Sequence, residues 1–137
     1  MNRYKPEVLS PKSNSFFILN LFDYLPFKNS RLSNLLFICS KNQWRSPTAE
    51  MLFRNHPVHQ ARSAGTSDKA RVKVNQKAIE WADVVFVMER RHKEQLNQRF
   101  AHAVAQKQLI VLDIKDNYRF GEAELVELLR NSLEEYL

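Results

Sequence analysis

The chain has 137 residues, 44% of them apolar, with one cysteine and a formal net charge of +6. That length fits one domain with a real hydrophobic core. A lone cysteine excludes an internal disulfide and the paired-cysteine zinc sites, and it points to a reducing, cytosolic setting. The positive charge is spread out. Half of it lies in residues 1–34, where Arg3, Lys5, Lys12, Lys28 and Arg31 stand against Glu7 and Asp23. No basic run of five residues occurs, which weighs against a nucleic-acid partner. No apolar stretch approaches a membrane span, which weighs against a membrane partner.

Residues 1–32 read as an N-terminal extension before a domain at 33–137. They hold Pro6, Pro11 and Pro26 and show no sustained periodicity. Phe16 to Phe27 is apolar-rich, but Asn20, Asp23 and Pro26 interrupt it and it has no small-residue cleavage site, so it reads poorly as a signal peptide. Leu35 to Cys39 is a continuous apolar run, the pattern of a strand buried on both faces. Ser46-Pro47 then opens a helix expected to reach about Asn55, with Ser46 as N-cap and Glu50 near the positive end of the dipole. Val58 to Ala64 predicts a second strand ended by Gly65, and Val74 to Trp81 a helix. Val84 to Met88 is β-branched and apolar, the clearest strand. Glu89 to Phe100 predicts a polar helix, Leu109 to Leu112 a fourth strand, and Glu122 to Leu137 an amphipathic helix with Leu125, Leu128, Leu129 and Leu133 on one face. Strands alternating with helices imply an α/β fold with a parallel sheet, whose ligands sit at the carboxyl ends of the strands. Cys39 occupies such an end.

The segment Cys39-Ser40-Lys41-Asn42-Gln43-Trp44-Arg45-Ser46-Pro47 carries the chemistry. Backbone N–H groups between a strand end and a helix start form an anion cradle. Arg45 adds a planar fork that matches two phosphate oxygens. The same positive surroundings favour a thiolate at Cys39. The Ser46 hydroxyl can donate to that sulfur and help when the thiolate leaves. A buried inert cysteine is the usual fate of an isolated Cys. Here the preceding strand, the Arg-Ser-Pro run and the succeeding helix together favour a nucleophile.

Phe37 to Glu50 resembles the signature loop of the low-molecular-weight protein tyrosine phosphatases. Ser63-Ala64-Gly65-Thr66 is similar to that family's second motif, and Ala82 to Glu89 to its third. The resemblance covers residues 33–137, with a short stretch between the second and third motifs, like a compact bacterial branch. It implies a four-stranded parallel sheet flanked by helices, a three-layer α/β/α fold of the phosphotyrosine protein phosphatase I type. It also implies cleavage of phosphomonoesters through a phosphocysteine with no metal or cofactor. The substrate would be a phosphotyrosine protein or a small aryl phosphate, and the product inorganic phosphate. In this resemblance Cys39 is the nucleophile and Arg45 the phosphate clamp. The loop from Ser40 through Lys41, Asn42, Gln43 and Trp44 to Ser46 binds phosphate, and Asn42 holds the loop's shape with Ser63 as partner.

Two departures stand out. Lys41 replaces the usual glycine and would cost free energy if that position needs positive φ or close backbone approach; it also adds a cation at the pocket mouth. Trp44 replaces a frequent second cysteine, so no internal disulfide can protect Cys39; Trp44 could instead line the entrance and stack on an aromatic substrate. Expulsion of a phenol needs a carboxylic acid to protonate its oxygen. In the family this is an aspartate near the C-terminus, and Asp116-Asn117-Tyr118 is the best match, with Asp113 the alternative. Tyr118 could wall an aromatic slot. The four histidines read as surface or scaffold, Asp83 and Glu89 as structural, and Arg90, Arg91 and Lys93 as a solvated helix face. Two alternatives stay open. One is a phosphoanion-binding module without turnover. The other is an arsenate reductase, which would need an external thiol because this chain has no resolving cysteine.

Overall fold

The computed structural model describes residues 33–137. The expected extension at 1–32 lies outside the described residues. Four strands form one sheet: β1 (Ser33–Cys39), β2 (His59–Gly65), β3 (Val84–Val87) and β4 (Gln108–Val111). All pair in parallel, in the order β2-β1-β3-β4. Helix α1 (Arg45–Leu52) links β1 to β2, α2 (Gln76–Trp81) links β2 to β3, and α3 (Arg90–Arg99) with the one-turn α4 (Ala101–Val104) links β3 to β4. Helix α5 (Ala123–Glu134) ends the unit. The α/β class and four-stranded parallel sheet are as the sequence implied.

Period-two side-chain direction gives β1 two apolar faces. Leu36 and Ile38 join Val85 and Val87 in a core closed by Ile79, Leu96 and Val104 from α2, α3 and α4. Leu35 and Phe37 face the other way. There Phe37 stacks on Phe86 with ring centroids 5.3 Å apart, and Leu125, Leu129 and Leu133 of α5 are buried. Helices therefore cover both faces, as a parallel sheet requires.

The strand order creates the site. From β1 the chain passes through α1 to β2 on one side; from β3 it continues through α3 to β4 on the other. Crossovers of one hand then put α1 and α3 on opposite faces. A crevice opens at the carboxyl ends of β1 and β3, the topological switch point. Register places Ile38 beside Val87, so Cys39 and Met88-Glu89 emerge together.

Several boundaries differ from expectation. Strand β1 begins at Ser33 because Ser33 and Asn34 pair with His59 and Gln60, a ladder that hydropathy does not reveal. Helix α1 ends at Leu52 rather than Asn55, and Asn55 adopts φ 63°. Its N-cap is Trp44, not Ser46. Ser46 is already helical and buried, and its hydroxyl serves the cysteine instead. Glu50 lies past the first turn, with its carboxylate turned to Ser63 rather than to the helix terminus. Helix α2 starts after Asn75, whose side chain accepts from the Ala78 N–H at 2.8 Å, and the short α4 was not foreseen.

Candidate active site

Between Cys39 and Arg45 the carbonyls of Cys39, Ser40, Lys41, Asn42 and Trp44 are turned outward to donors beyond the loop. Thr66 N–H donates to the Cys39 carbonyl at 3.0 Å, Ser67 N–H to Ser40 at 2.9 Å, and Arg71 N–H to Lys41 at 3.0 Å. The Arg71 Nε–H takes the Asn42 carbonyl at 3.0 Å, and the Thr48 N–H takes Trp44 at 3.1 Å. Each peptide plane that points its oxygen out points the next N–H inward. These amides make no backbone hydrogen bond among the described residues, the arrangement of an anion cradle.

Gly65 permits this anchoring. A Cβ there would stand 2.3 Å from the Ser40 carbonyl oxygen and 2.8 Å from the Ala70 Cβ. Backbone cannot yield as a side-chain tip can, so overpacking forces the loop to move. Gly65→Ala is expected to cost about 1–3 kcal/mol in urea unfolding and to weaken phosphate binding. Wild-type stability in that variant would show that the second loop is not rigidly docked.

The loop's one left-handed residue is Asn42, at φ 57°, and asparagine tolerates that region better than most side chains. Lys41 is not in the left-handed region, and its side chain is exposed. The expected penalty for lysine in place of glycine therefore does not arise from positive φ. Buried Asn42 uses both amide hydrogens, donating to Ser46 Oγ at 2.8 Å and to Ser63 Oγ at 2.9 Å. Ser63 in turn donates to Glu50. Because Ser46 Oγ accepts from Asn42, its own proton is free for another acceptor. Cys39 Sγ lies 3.0 Å away, whereas the Ala64 carbonyl is at 3.4 Å. The closer acceptor is the sulfur, so Ser46 can donate to it.

Arg45 is 1% exposed, and burying a guanidinium demands partners. Its Nη1 donates to Glu89 Oε2 and, at 2.7 Å, to the Ile114 carbonyl. Its Nε lies 3.5 Å from Asp116 Oδ1. Burial raises the Glu89 carboxyl, but bonds from Arg91 and Arg45 outweigh this and hold it below its ordinary range. Glu89 thus fixes the Arg45 guanidinium, a specific partner for the structural place that the sequence reading gave it.

His92 was missed. Its signal in the sequence was its place three residues after Glu89, where it closes a capping box on α3. The ring is fully buried. Burial, with the Arg45 and Arg91 charges, pushes it down from the usual 6.5 to about 4. His59 is also buried, while His56 and His102 are exposed.

A cavity of about 260 Å³ is lined by Cys39, Ser40, Lys41, Gln43, Trp44, Arg45, Arg91 and Asp116. Asn42, Ser46 and Ser63 stand behind this wall. Asp116 is 46% exposed at the mouth. Asp113 is outside the lining, at φ 61°. Arg91, expected on a solvated face, reaches the pocket and pairs with Glu89 Oε1 at 2.8 Å. Tyr118 lies outside the lining, its hydroxyl 3.3 Å from Glu124. Trp44 provides the aromatic wall, with the Arg119 guanidinium 5.2 Å from its ring centre. Among the described residues, no group of three His, Cys, Asp or Glu is placed to hold a metal.

Residues 34–82 match the family model for low molecular weight phosphotyrosine protein phosphatase. No curated protein matches the chain by sequence. Among solved structures, the tyrosine phosphatase Wzb from Escherichia coli K30 with phosphate is 22% identical at a TM-score of 0.62, covering 77% of this chain and 96% of that one. A YwlE mutant from Bacillus subtilis is 24% identical at 0.57, covering 75% and 97%. The YwlE arginine phosphatase from Geobacillus stearothermophilus is 24% identical at 0.51, covering 76% and 85%. Residues 34–82 thus carry the sequence pattern of the low-molecular-weight phosphotyrosine protein phosphatases, on a domain with that family's fold.

Proposed function

We propose that this chain is a cysteine-dependent phosphomonoesterase acting on aryl phosphates such as phosphotyrosine. The observation that carries the reading is the Cys39 sulfur at the base of an amide-lined loop, 3.0 Å from a Ser46 hydroxyl free to donate to it. Cys39 attacks phosphorus in line, and the P–O ester bond breaks as the S–P bond forms. Loop amides and Arg45 take the charge on the equatorial oxygens. Asp116 gives its proton to the departing oxygen. The resulting carboxylate then accepts a proton from water as that water attacks phosphorus. The thiolate leaves with the Ser46 hydrogen bond to stabilise it. This chain's residues complete the cycle without a cofactor.

Trp44 and the cations favour an aryl over a guanidino leaving group. Trp44 offers a ring face to a phenol. Lys41 and Arg91 at the rim oppose a second guanidinium, the group of phosphoarginine. Rapid quench after mixing with a radiolabelled phosphotyrosine peptide is expected to trap label on Cys39. Turnover should persist in EDTA, and a phosphotyrosine peptide should be cleaved at least about tenfold faster than a phosphoarginine peptide of the same flanks, a difference of ~1.4 kcal/mol in barrier. Phosphate binding with no turnover would instead make the domain a phosphoanion-binding module. Faster cleavage of the phosphoarginine peptide would overturn the aryl preference.

A further inference from the structure

We infer that the Ser40 side-chain hydroxyl is a direct donor to the substrate's phosphoryl oxygens, and that His92 is the positioning residue that sets its direction. This rests on the phosphatase function proposed for the same loop. The His92 Nδ1 accepts the Glu89 backbone N–H at 3.0 Å, so it carries no proton. A neutral imidazole must then hold its hydrogen on Nε2. Nε2 lies 2.9 Å from Ser40 Oγ, so the imidazole donates and the serine accepts. A hydroxyl has one hydrogen, and that of Ser40 must go to another acceptor. Among the described residues Ser40 Oγ makes no other hydrogen bond, and Ser40 lines the cavity beside Cys39 and Arg45. A bound phosphoryl group supplies the acceptor there. The backbone carbonyl of Ser40 is held by the Ser67 N–H at 2.9 Å, so the hydroxyl has a fixed origin. A preorganised donor of this kind loses little on reorientation when charge develops on the equatorial oxygens.

The helix cap alone does not account for the arrangement. Capping uses only Nδ1 of His92, and a glutamine at this helix position would serve as well. The bond from Nε2 to the loop is additional. It ties Ser40 to the same helix start whose Glu89 carboxylate orients Arg45.

The test measures inhibition by inorganic phosphate, p-nitrophenyl phosphate kinetics and melting temperature in wild type, Ser40→Ala, Ser40→Thr, His92→Gln and the Ser40→Ala/His92→Gln double variant. Ser40→Ala is expected to weaken phosphate about tenfold, as loss of a hydrogen bond to a charged acceptor does. Ser40→Thr should retain most of the affinity. His92→Gln should keep the cap and the melting temperature while weakening phosphate several-fold. The double variant should match Ser40→Ala, because His92 acts only through that hydroxyl. Wild-type phosphate affinity in Ser40→Ala would overturn the assignment while leaving the phosphatase reading intact. Fully additive losses would overturn the role of His92. A wild-type protein that neither binds phosphate nor turns over the ester would overturn both readings together.

Discussion

Cys39→Ser is expected to lower p-nitrophenyl phosphate turnover by at least about 10⁴-fold while phosphate still binds. The substitution changes one atom and keeps a similar shape. It replaces a polarisable, strongly nucleophilic sulfur with a weakly nucleophilic alcohol oxygen. A serine alcohol needs a base to take its proton, and among the described residues the only side-chain hydrogen-bond partner at position 39 is Ser46. The Ser46 hydroxyl, 3.0 Å from the residue 39 side chain, is itself a neutral alcohol and no general base. Asp116 lies at the mouth, its carboxylate 3.5 Å from Arg45 Nε. The inward amides and Arg45 are untouched, so phosphate affinity measured by calorimetry should survive. Residual turnover within about a hundredfold of wild type would rule out an obligatory phosphocysteine.

Asp116→Asn is the second large effect, and its size should depend on the leaving group. General acid catalysis contributes about 10²–10⁴-fold where the departing oxygen is basic. Phenyl phosphate and phosphotyrosine should lose kcat in that range. Dinitrophenyl phosphate, whose phenolate leaves without a proton, should lose far less. The isosteric amide keeps the shape of the rim but carries no acidic proton. Asp113→Asn is the control, because asparagine also tolerates the left-handed backbone found there. It should behave like wild type. A larger loss in Asp113→Asn than in Asp116→Asn, with the same leaving-group dependence, would transfer the acid role to Asp113.

The segment from Leu35 to Ser46 was legible because its information is local. An apolar run makes a buried strand, and the residues after it must turn and start a helix within a short span. Cys39 and Arg45 therefore had to face one anion cradle. Local reasoning failed where tertiary demand overrode propensity. Ser46 has the chemistry of an N-cap, yet buried Asn42 and the cysteine sulfur claim its hydroxyl, and the cap falls two residues earlier at Trp44. Lys41 looked costly where the family has glycine, but the positive φ falls on Asn42 instead. His92 read only as surface or scaffold, because nothing within α3 reveals that its ring enters the interior.

By itself the sequence determined the α/β class, the placement of Cys39 and Arg45 in one loop between a strand and a helix, and the absence of a disulfide partner for Cys39. Each of these depends on residues within one turn or strand, or on a simple count. Only the tertiary structure decided which distant groups serve that loop. Glu89 and His92 reach it because parallel pairing puts the end of β3 beside the end of β1. Gly65 and the Thr66 to Arg71 segment pin its carbonyls because β2 pairs on the other side. Asp116 arrives after β4, the next strand out. Strand register and crossover hand bring these groups together, and they are properties of the whole sheet that no short window of sequence encodes.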